Sequence, residues 1–324
     1  MRVIKRCIGG LAISITLFTS GMPAFAEFWP QRTVRIIVPV GSGSTTDIAA
    51  RLFADRLADR WKQAVIVENR PGADGQIGVA AFVGLHDDHA LLYSFAAPLT
   101  VLPIVREKLP YDPARDLVPI AAATDTFGTI SVVNSLNVGS LAELVALARS
   151  APGKLNCYAS TGAFPYLLAG FLHSAGLDMV PVTYREQNLA IQDHGEGRIQ
   201  VVVTALTSAL PLAQAGKVKF VAVTNSKRAP TLPEVPTATE AGYPELAFEG
   251  FAGFFGARAM PVELRDRIAS DIRAVAAEPD LIHRLAAVGQ LARGTTPAEF
   301  SAMIEEQRAK MTSIVKLLRT QPQR

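Results

Sequence analysis

The sequence predicts a two-lobed α/β protein in which the second lobe is inserted into the first. From Val34 onward, short β-branched runs alternate with segments whose apolar residues recur at helical spacing, the pattern of successive βα units. The alternation breaks at Asp125-Thr126-Phe127-Gly128-Thr129, and again at Phe248-Glu249-Gly250-Phe251-Ala252-Gly253, after which only helical periodicity remains. A lobe built from the start and end of the chain, with another between, accounts for both breaks. The implied units are residues 27–127 with 252–324, and residues 128–251, joined by crossing segments at 126–129 and 250–253 that would act as a hinge.

Strands are expected at 34–40, 64–68, 90–95, 118–122, 130–133, 155–159, 181–184, 199–204, 220–224 and 251–255. Their apolar runs are continuous rather than alternating, which suits parallel strands covered on both faces. The first helix is expected over 47–61, with Ile48, Leu52, Phe53, Leu57 and Trp61 on one side. Further helical spacing covers 141–150, 166–175, 189–195, 262–277, 279–288 and 297–318.

Ahead of these elements stands a leader. Arg2, Lys5 and Arg6 precede an apolar run from Ile8 to about Phe18, then Pro23-Ala24-Phe25-Ala26. This is the pattern of a secretory signal peptide cleaved after Ala26, with an apolar run too short to span a bilayer. The whole chain is formally +3, and the three basic residues of residues 1–26 account for it, leaving a mature chain near neutrality. Such a chain lacks the clustered Lys and Arg that nucleic acid demands. Only Cys157 remains after cleavage, so no intrachain disulfide is available and the fold must hold by burial.

Three expected strands lead into small, polar turns that open helices. They are Gly41-Ser42-Gly43-Ser44-Thr45-Thr46-Asp47, Ser160-Thr161-Gly162-Ala163 and Thr204-Ala205-Leu206-Thr207-Ser208. Thr45 or Thr46 is the expected N-cap of the first helix. Hydroxyls and free N–H groups at such places suit an anion, at the strand ends where open α/β sheets bind ligands. Catalytic signals are weak. Gly41-Ser42-Gly43 lacks the spacing of a dinucleotide loop and the Lys of a P-loop, and there is no Gly-x-Ser-x-Gly elbow. His86-Asp87-Asp88-His89 reads as a surface turn rather than a metal site, because its polar residues are adjacent. Neither catalytic nor metal-ligating residues are assigned, and no cofactor is expected.

The ordered stretches Trp29-Pro30, Val34-Arg35-Ile36-Ile37-Val38-Pro39, Val67-Glu68-Asn69-Arg70-Pro71-Gly72-Ala73, Leu109-Pro110-Tyr111-Asp112-Pro113, Pro152-Gly153-Lys154-Leu155-Asn156, Leu232-Pro233-Glu234-Val235-Pro236-Thr237 and Thr296-Pro297-Ala298-Glu299-Phe300 have a family likeness. Together they make the mature chain similar to the Bug-type receptors, the solute-binding proteins of tripartite tricarboxylate transporters. The resemblance implies a Venus-flytrap, periplasmic-binding-protein fold. It also implies a monomeric periplasmic receptor that captures an organic carboxylate and passes it to membrane permease subunits.

Carried over by position, the resemblance implies ligand contacts from Gly41, Ser42, Gly43, Ser44, Thr45, Thr46 and Asp47, and from Ser94, Phe95 and Ala96. The inserted lobe would add Ser160, Thr161, Gly162, Tyr184, Arg185, Glu186, Thr204 and Ala205. Three departures bear on the solute: hydroxyl-rich Gly41-Ser42-Gly43-Ser44-Thr45 for the family's Pro-Pro-Gly-Gly-Ser, Tyr184-Arg185-Glu186 for Tyr-Lys-Gly, and Thr204 or Ala205 for a frequent Asp. Phe95, Phe127, Tyr158 and Phe164 fall near the expected cleft, so an aromatic acid ranks second behind a generic organic carboxylate. An exported small-ester hydrolase and a ligand-presenting receptor for a membrane sensor are the alternatives.

Overall fold

Nine of the ten expected apolar runs become strands over most of their length, only Pro181 of the run at 181–184 is in a strand, and the strands sort into two sheets. The computed structural model describes residues 29–320, so the leader and the Ala26 cleavage site lie outside the described residues. The first stretch runs β1 (Val34–Val38), α1 (Thr45–Trp61), β2 (Val65–Asn69), α2 (Gln76–Val83), β3 (Ala90–Phe95), α3 (Ala97–Thr100), α4 (Leu102–Val105), α5 (Pro113–Asp116) and β4 (Leu117–Thr126). The inserted stretch is β5 (Gly128–Val133), α6 (Leu141–Ser150), β6 (Asn156–Ala159), α7 (Phe164–Ser174), β7 (Val180–Pro181), α8 (Gln187–Gly195), β8 (Val201–Ala205), α9 (Leu206–Gln214) and β9 (Val218–Val223). The chain then returns as β10 (Gly250–Ala257), α10 (Val262–Ala276), α11 (Pro279–Ala287), β11 (Gln290–Ala292) and α12 (Pro297–Arg319).

One sheet has the order β11-β4-β10-β3-β1-β2 and the other β7-β6-β8-β5-β9. This is the two-lobed α/β architecture, but the sheets are mixed rather than parallel throughout. β1 runs parallel to β2 and β3, and β6 to β7 and β8. The strands at the lobe crossings are antiparallel to their neighbours: β10 to β3 and β4, and β5 to β8 and β9. Only Phe127 separates the end of β4 from the start of β5, so the chain passes almost straight from one sheet into the next. Gly250, Phe251, Ala252 and Gly253, expected at the second crossing, are paired residues that open β10.

Burial on both faces of the sheets holds the lobes together. In the first lobe Phe53 meets Phe254 edge-on at 5.6 Å, and Tyr93 lies 4.8 Å from Phe254. The buried Tyr93 hydroxyl has a partner in Thr124 Oγ1 at 3.1 Å, as a buried polar group requires. The second core gathers β5, β6 and β8 residues against Leu144, Leu168 and Phe171. α12 serves both lobes. Phe300 and Ile304 join the first, while Met311 packs with Ala97, Val101, Ala163, Leu167 and Phe248 in a cluster that draws on each. The helix also grips the second crossing: Lys310 Nζ donates to the Pro244 carbonyl at 3.2 Å and to that of Ala247, and Gln307 Nε2 donates to that of Glu249.

His194 is buried in the second lobe with both ring nitrogens engaged. Its Nδ1 lies 2.8 Å from the Ile199 carbonyl, which can only accept, so Nδ1 carries the proton and Nε2 accepts from Ser131 Oγ at 2.9 Å. Burial holds the imidazole pKa below its ordinary 6.5, and the carbonyl of Ile199 offsets only part of that. The unfolded chain therefore takes up this proton first, and stability drains away as pH falls below about 6.5 toward the lowered folded pKa. We expect Tm to fall from pH 7.5 to pH 5, with a flatter profile in His194→Gln. Parallel profiles for the two proteins would assign the slope to another group.

Candidate functional site

The first loop is organised from inside. Ser44, not Thr45 or Thr46, is the N-cap of α1, and its hydroxyl accepts from the Asp47 N–H at 3.3 Å. Asp47 is 1% exposed, and its carboxylate accepts from Gly43 N–H at 2.8 Å, Asn69 Nδ2 at 2.8 Å and Arg51 Nε at 3.0 Å. Burial raises the Asp47 pKa, but the bonds from Arg51, Gly43 and Asn69 outweigh it and hold the acid below its ordinary value. Asn69 also donates to the Val40 carbonyl at 3.1 Å, which ties the loop back to the end of β1. Gly43 sits at φ +81, a left-handed conformation that the turn onto Asp47 imposes and glycine tolerates. The effect of this wrapping is to fix Thr45 and Thr46 at the start of α1.

Thr45 and Thr46 line a cavity of about 270 Å³ between the lobes. Of the other residues expected to touch ligand, Phe95, Ala96, Ser160, Thr161, Gly162 and Ala205 also line it. Gly41, Ser42, Gly43, Ser44 and Asp47 do not. Ser94 is fully buried, with its hydroxyl donating to the Phe95 carbonyl at 3.1 Å. Thr204 is likewise buried, its hydroxyl 3.4 Å from Gln187 Nε2. Tyr184 turns away: its hydroxyl donates to Asp193 at 2.5 Å, and its ring meets Tyr158 edge-on at 5.7 Å. Arg185 and Glu186 are exposed at the start of α8 and do not line the cavity.

The sequence reading missed several walls of the cavity. Gln187, the first residue of α8, donates to Ser208 Oγ at 2.9 Å and so braces the turn into α9. Gly289 with Gln290 line the cavity from the turn into β11, while Thr207 and Ser208, from the third of the expected polar turns though not among the expected contacts, line it from α9. Phe95, Phe127 and Phe164 do reach it, joined by Phe248 and Phe251, whereas Tyr158 does not. The helices α7 and α9 start at the cavity with no side-chain cap on their first turns, from Ala163 and Ala205 respectively. Pro165 gives α7 no N–H at its second position, and the Leu206 N–H of α9 is donated to the Phe127 carbonyl at 2.8 Å. What these starts offer a negative ligand is their positive dipole ends and the N–H groups that remain. Among the described residues lining this cavity, none is Asp, Glu, Lys, Arg or His.

A larger groove of about 840 Å³ lies on the second lobe beside Cys157, Tyr158, Leu168 and Tyr184. Apart from Leu318 its walls are all from the inserted stretch, so it lacks the convergence of two lobes that a clasping receptor uses. The Cys157 thiol there is buried, which pushes its pKa up to about 12 and leaves it protonated. The Asp87, Asp88 and His89 cluster is committed elsewhere. Arg32 Nη2 donates to both carboxylates at 2.7 Å, and His89 Nε2 accepts from the Gln31 N–H at 3.1 Å. With Trp29 Nε1 donating to the Asp88 carbonyl at 3.0 Å, this turn anchors the start of the described chain.

The model of the family described as "Tripartite tricarboxylate transporter family receptor" matches residues 49–319. The chain belongs to this receptor family. Protein BugT of Bordetella pertussis is 32% identical over 242 residues, covering 72% of this chain and 74% of that protein. A UPF0065 protein of Bordetella bronchiseptica is 29% identical over 327 residues, covering 98% of this chain and 97% of its own. Among solved structures, an R. palustris protein with adipate is 28% identical with a TM-score of 0.77, covering 89% of this chain and 97% of that one. The periplasmic binding protein BugD, at 24% identity, shares the fold with a TM-score of 0.74 over 91% of this chain and all of its own.

Proposed function

We propose that this receptor is exported to the periplasm, clasps a small organic carboxylate between its lobes, and delivers it to the membrane subunits of a tripartite tricarboxylate-type transporter. One observation carries the reading: an uncharged, hydroxyl-lined cavity of about 270 Å³, walled by both lobes, onto which two uncapped helix starts open. Oriented N–H groups and hydroxyls hold a carboxylate without a counter-charge, and release it more readily than a buried Arg pair would. The adipate bound to the R. palustris relative supports the ligand class. The reading is of a monomer without a cofactor, with residues 1–26 as the cleaved leader and the lobes dividing at residues 127–128 and 251–252. The hydrolase alternative would need a base beside a nucleophile, and Ser160, Thr161, Thr207 and Ser208 share the cavity with no ionisable side chain.

A thermal-shift panel of aliphatic dicarboxylates, citrate and aromatic acids tests this. Ligand at a hundredfold excess over its Kd adds about 2.7 kcal/mol, or roughly 4 °C in Tm for a chain of this size. We expect one acid to reach that shift without being consumed. Turnover of a small ester, or a flat response across the panel, would count against the receptor.

A further inference from the structure

Thr207 stands between the lobes with its hydroxyl left over. It lines the interlobe cavity from the second position of α9, half-buried, and its Oγ1 has no hydrogen-bond partner among the described residues. A helical threonine ordinarily turns its hydroxyl back onto the carbonyl three or four residues earlier. Here those carbonyls belong to Thr204 and Val203, and both are occupied. The first accepts from Thr129 Oγ1 at 3.2 Å and the second from the Ser160 N–H at 3.0 Å. Other hydroxyls of the same cavity are spent: Ser208 Oγ accepts from Gln187, and Thr224 Oγ1 donates to the Phe248 carbonyl at 3.0 Å.

The direction of the Thr207 side chain is set from the other lobe. Gly289, in the turn into β11, lies so close that a Cβ added to it would come within 2.5 Å of the Thr207 γ-methyl carbon and 3.9 Å of the Thr207 Cβ. Oγ1 is farther than 4 Å from that point, so the methyl faces Gly289 and the hydroxyl turns away from it. Gly289 sits at φ +70, and its missing side chain is what leaves the methyl its seat. The hydroxyl thus lies at the positive end of α9, beside an N–H that has no acceptor within the helix, where an anionic oxygen is favoured.

We infer that Thr207 is a ligand-binding residue whose hydroxyl donates to a carboxylate oxygen, and that Gly289 is the positioning residue that aims it from the opposite lobe. This rests on the carboxylate-receptor reading above and deepens it. The donor is held in place only while the first lobe lies against α9, so the same contact links lobe position to affinity.

The test titrates succinate, adipate, citrate and benzoate calorimetrically at pH 7.5 into the mature wild-type protein and takes the tightest of them as the probe. Thr207→Val keeps the methyl against Gly289 and removes only the hydroxyl, so it should weaken the probe by about tenfold to a hundredfold. Its Tm without ligand should match or exceed that of the wild type, because the hydroxyl has no partner in the protein. A merely structural hydroxyl would lower Tm and leave affinity alone. Thr207→Ser keeps the hydroxyl but loses the seat, for a loss of about threefold to tenfold. Gly289→Ala should lose about tenfold or more by displacing the methyl, and adding Thr207→Ser to it should bring affinity back to within about threefold of Thr207→Ser alone. Backbone strain from alanine at this φ would survive that second substitution. Equal affinity in Thr207→Val and wild type overturns the contact. A Gly289→Ala protein that binds normally, or whose loss Thr207→Ser does not relieve, overturns the positioning role; either result leaves the carboxylate reading standing. If none of these acids binds, the carboxylate reading fails and the inference with it.

Discussion

Replacing Asp47 by alanine should destabilise the protein by about 3 kcal/mol and weaken ligand binding by roughly tenfold to a hundredfold. The stability figure follows from what the carboxylate holds. Three donors converge on it, from Gly43, Asn69 and Arg51, and the side chain is almost wholly buried. Bonds to a buried charged group contribute about 1.5–3 kcal/mol each, but they share one acceptor and are not additive. The Arg51 guanidinium is 46% exposed, so water screens its share. The binding effect has a separate cause: without Asp47, Gly43 and Asn69 no longer fold the loop under Thr45 and Thr46. Asp47→Asn keeps an acceptor for Gly43 but turns an amide toward Arg51 or Asn69, so it should fall between wild type and alanine. The carboxylate's contribution should persist down to the ordinary acid value near 3.8, then vanish as pH drops through the lowered folded pKa. Chemical denaturation of both variants at pH 7 gives the stability, and calorimetry the affinity. A loss below about 1 kcal/mol in Asp47→Ala would mean that the loop holds its shape without this hub.

What the sequence revealed of this fold depended on where each signal resides. β1 and α1 were legible because a β-branched run, a hydroxyl-rich turn and an amphipathic helix sit together within a single local stretch. Strand direction was not. A strand buried on both faces reads as the same apolar run whether its neighbours are parallel or antiparallel, so the reversed partners of β10 and β5 had no local mark. α2 was hidden by Gly78, whose place on a helix makes sense only in three dimensions. A Cβ there would come within 2.6 Å of Pro39 and 2.7 Å of the Arg70 carbonyl, so the helix needs glycine to lie against that backbone. β11 is three residues long and exists because β4 offers it an edge, with Arg293 reaching Asp125 at 2.7 Å. Gln290 was lost with it.

The candidate site divides along the same line. Hydroxyl-bearing turns at helix starts are a local feature, and Thr45, Ser160, Thr161 and Ala205 could be found from them. Which hydroxyls cap their own helix and which face the cleft depends on loop geometry, and Ser44 and Thr45 differ in this although they are adjacent. Tyr184, Arg185 and Glu186 were carried over from the family pattern. In this chain the acid that Tyr184 finds, Asp193, lies on α8 and draws the ring to the outer groove.

The second large effect should come from Asn225, which is 2% exposed at the point where the two lobe crossings meet. Its Nδ2 donates to the Thr126 carbonyl at 3.0 Å and lies 3.4 Å from Glu249 Oε2, while its Oδ1 accepts from the Gly128 N–H at 3.3 Å. One side chain thus stitches β4 to β5 and ties both to the returning chain. There is no slack around it, because a Cβ on Gly128 would come within 2.5 Å of Thr224 Oγ1 and 2.6 Å of the Phe164 ring. Asn225→Ala leaves a buried N–H and a buried carbonyl unpaired, at about 1–3 kcal/mol each, so a loss of about 3 kcal/mol and a Tm lowered by roughly 5 °C are expected. Both orphaned groups belong to residues that line the cavity, so affinity should fall with stability. Closure separates this variant from a simple core defect. If the crossings act as the hinge, small-angle scattering should show a smaller radius for the wild type with ligand than without it, and a weaker contraction for Asn225→Ala at saturation. Equal contraction in both proteins would place the hinge elsewhere, and the α12 contacts with Ala247 and Glu249 would be the next segment to test.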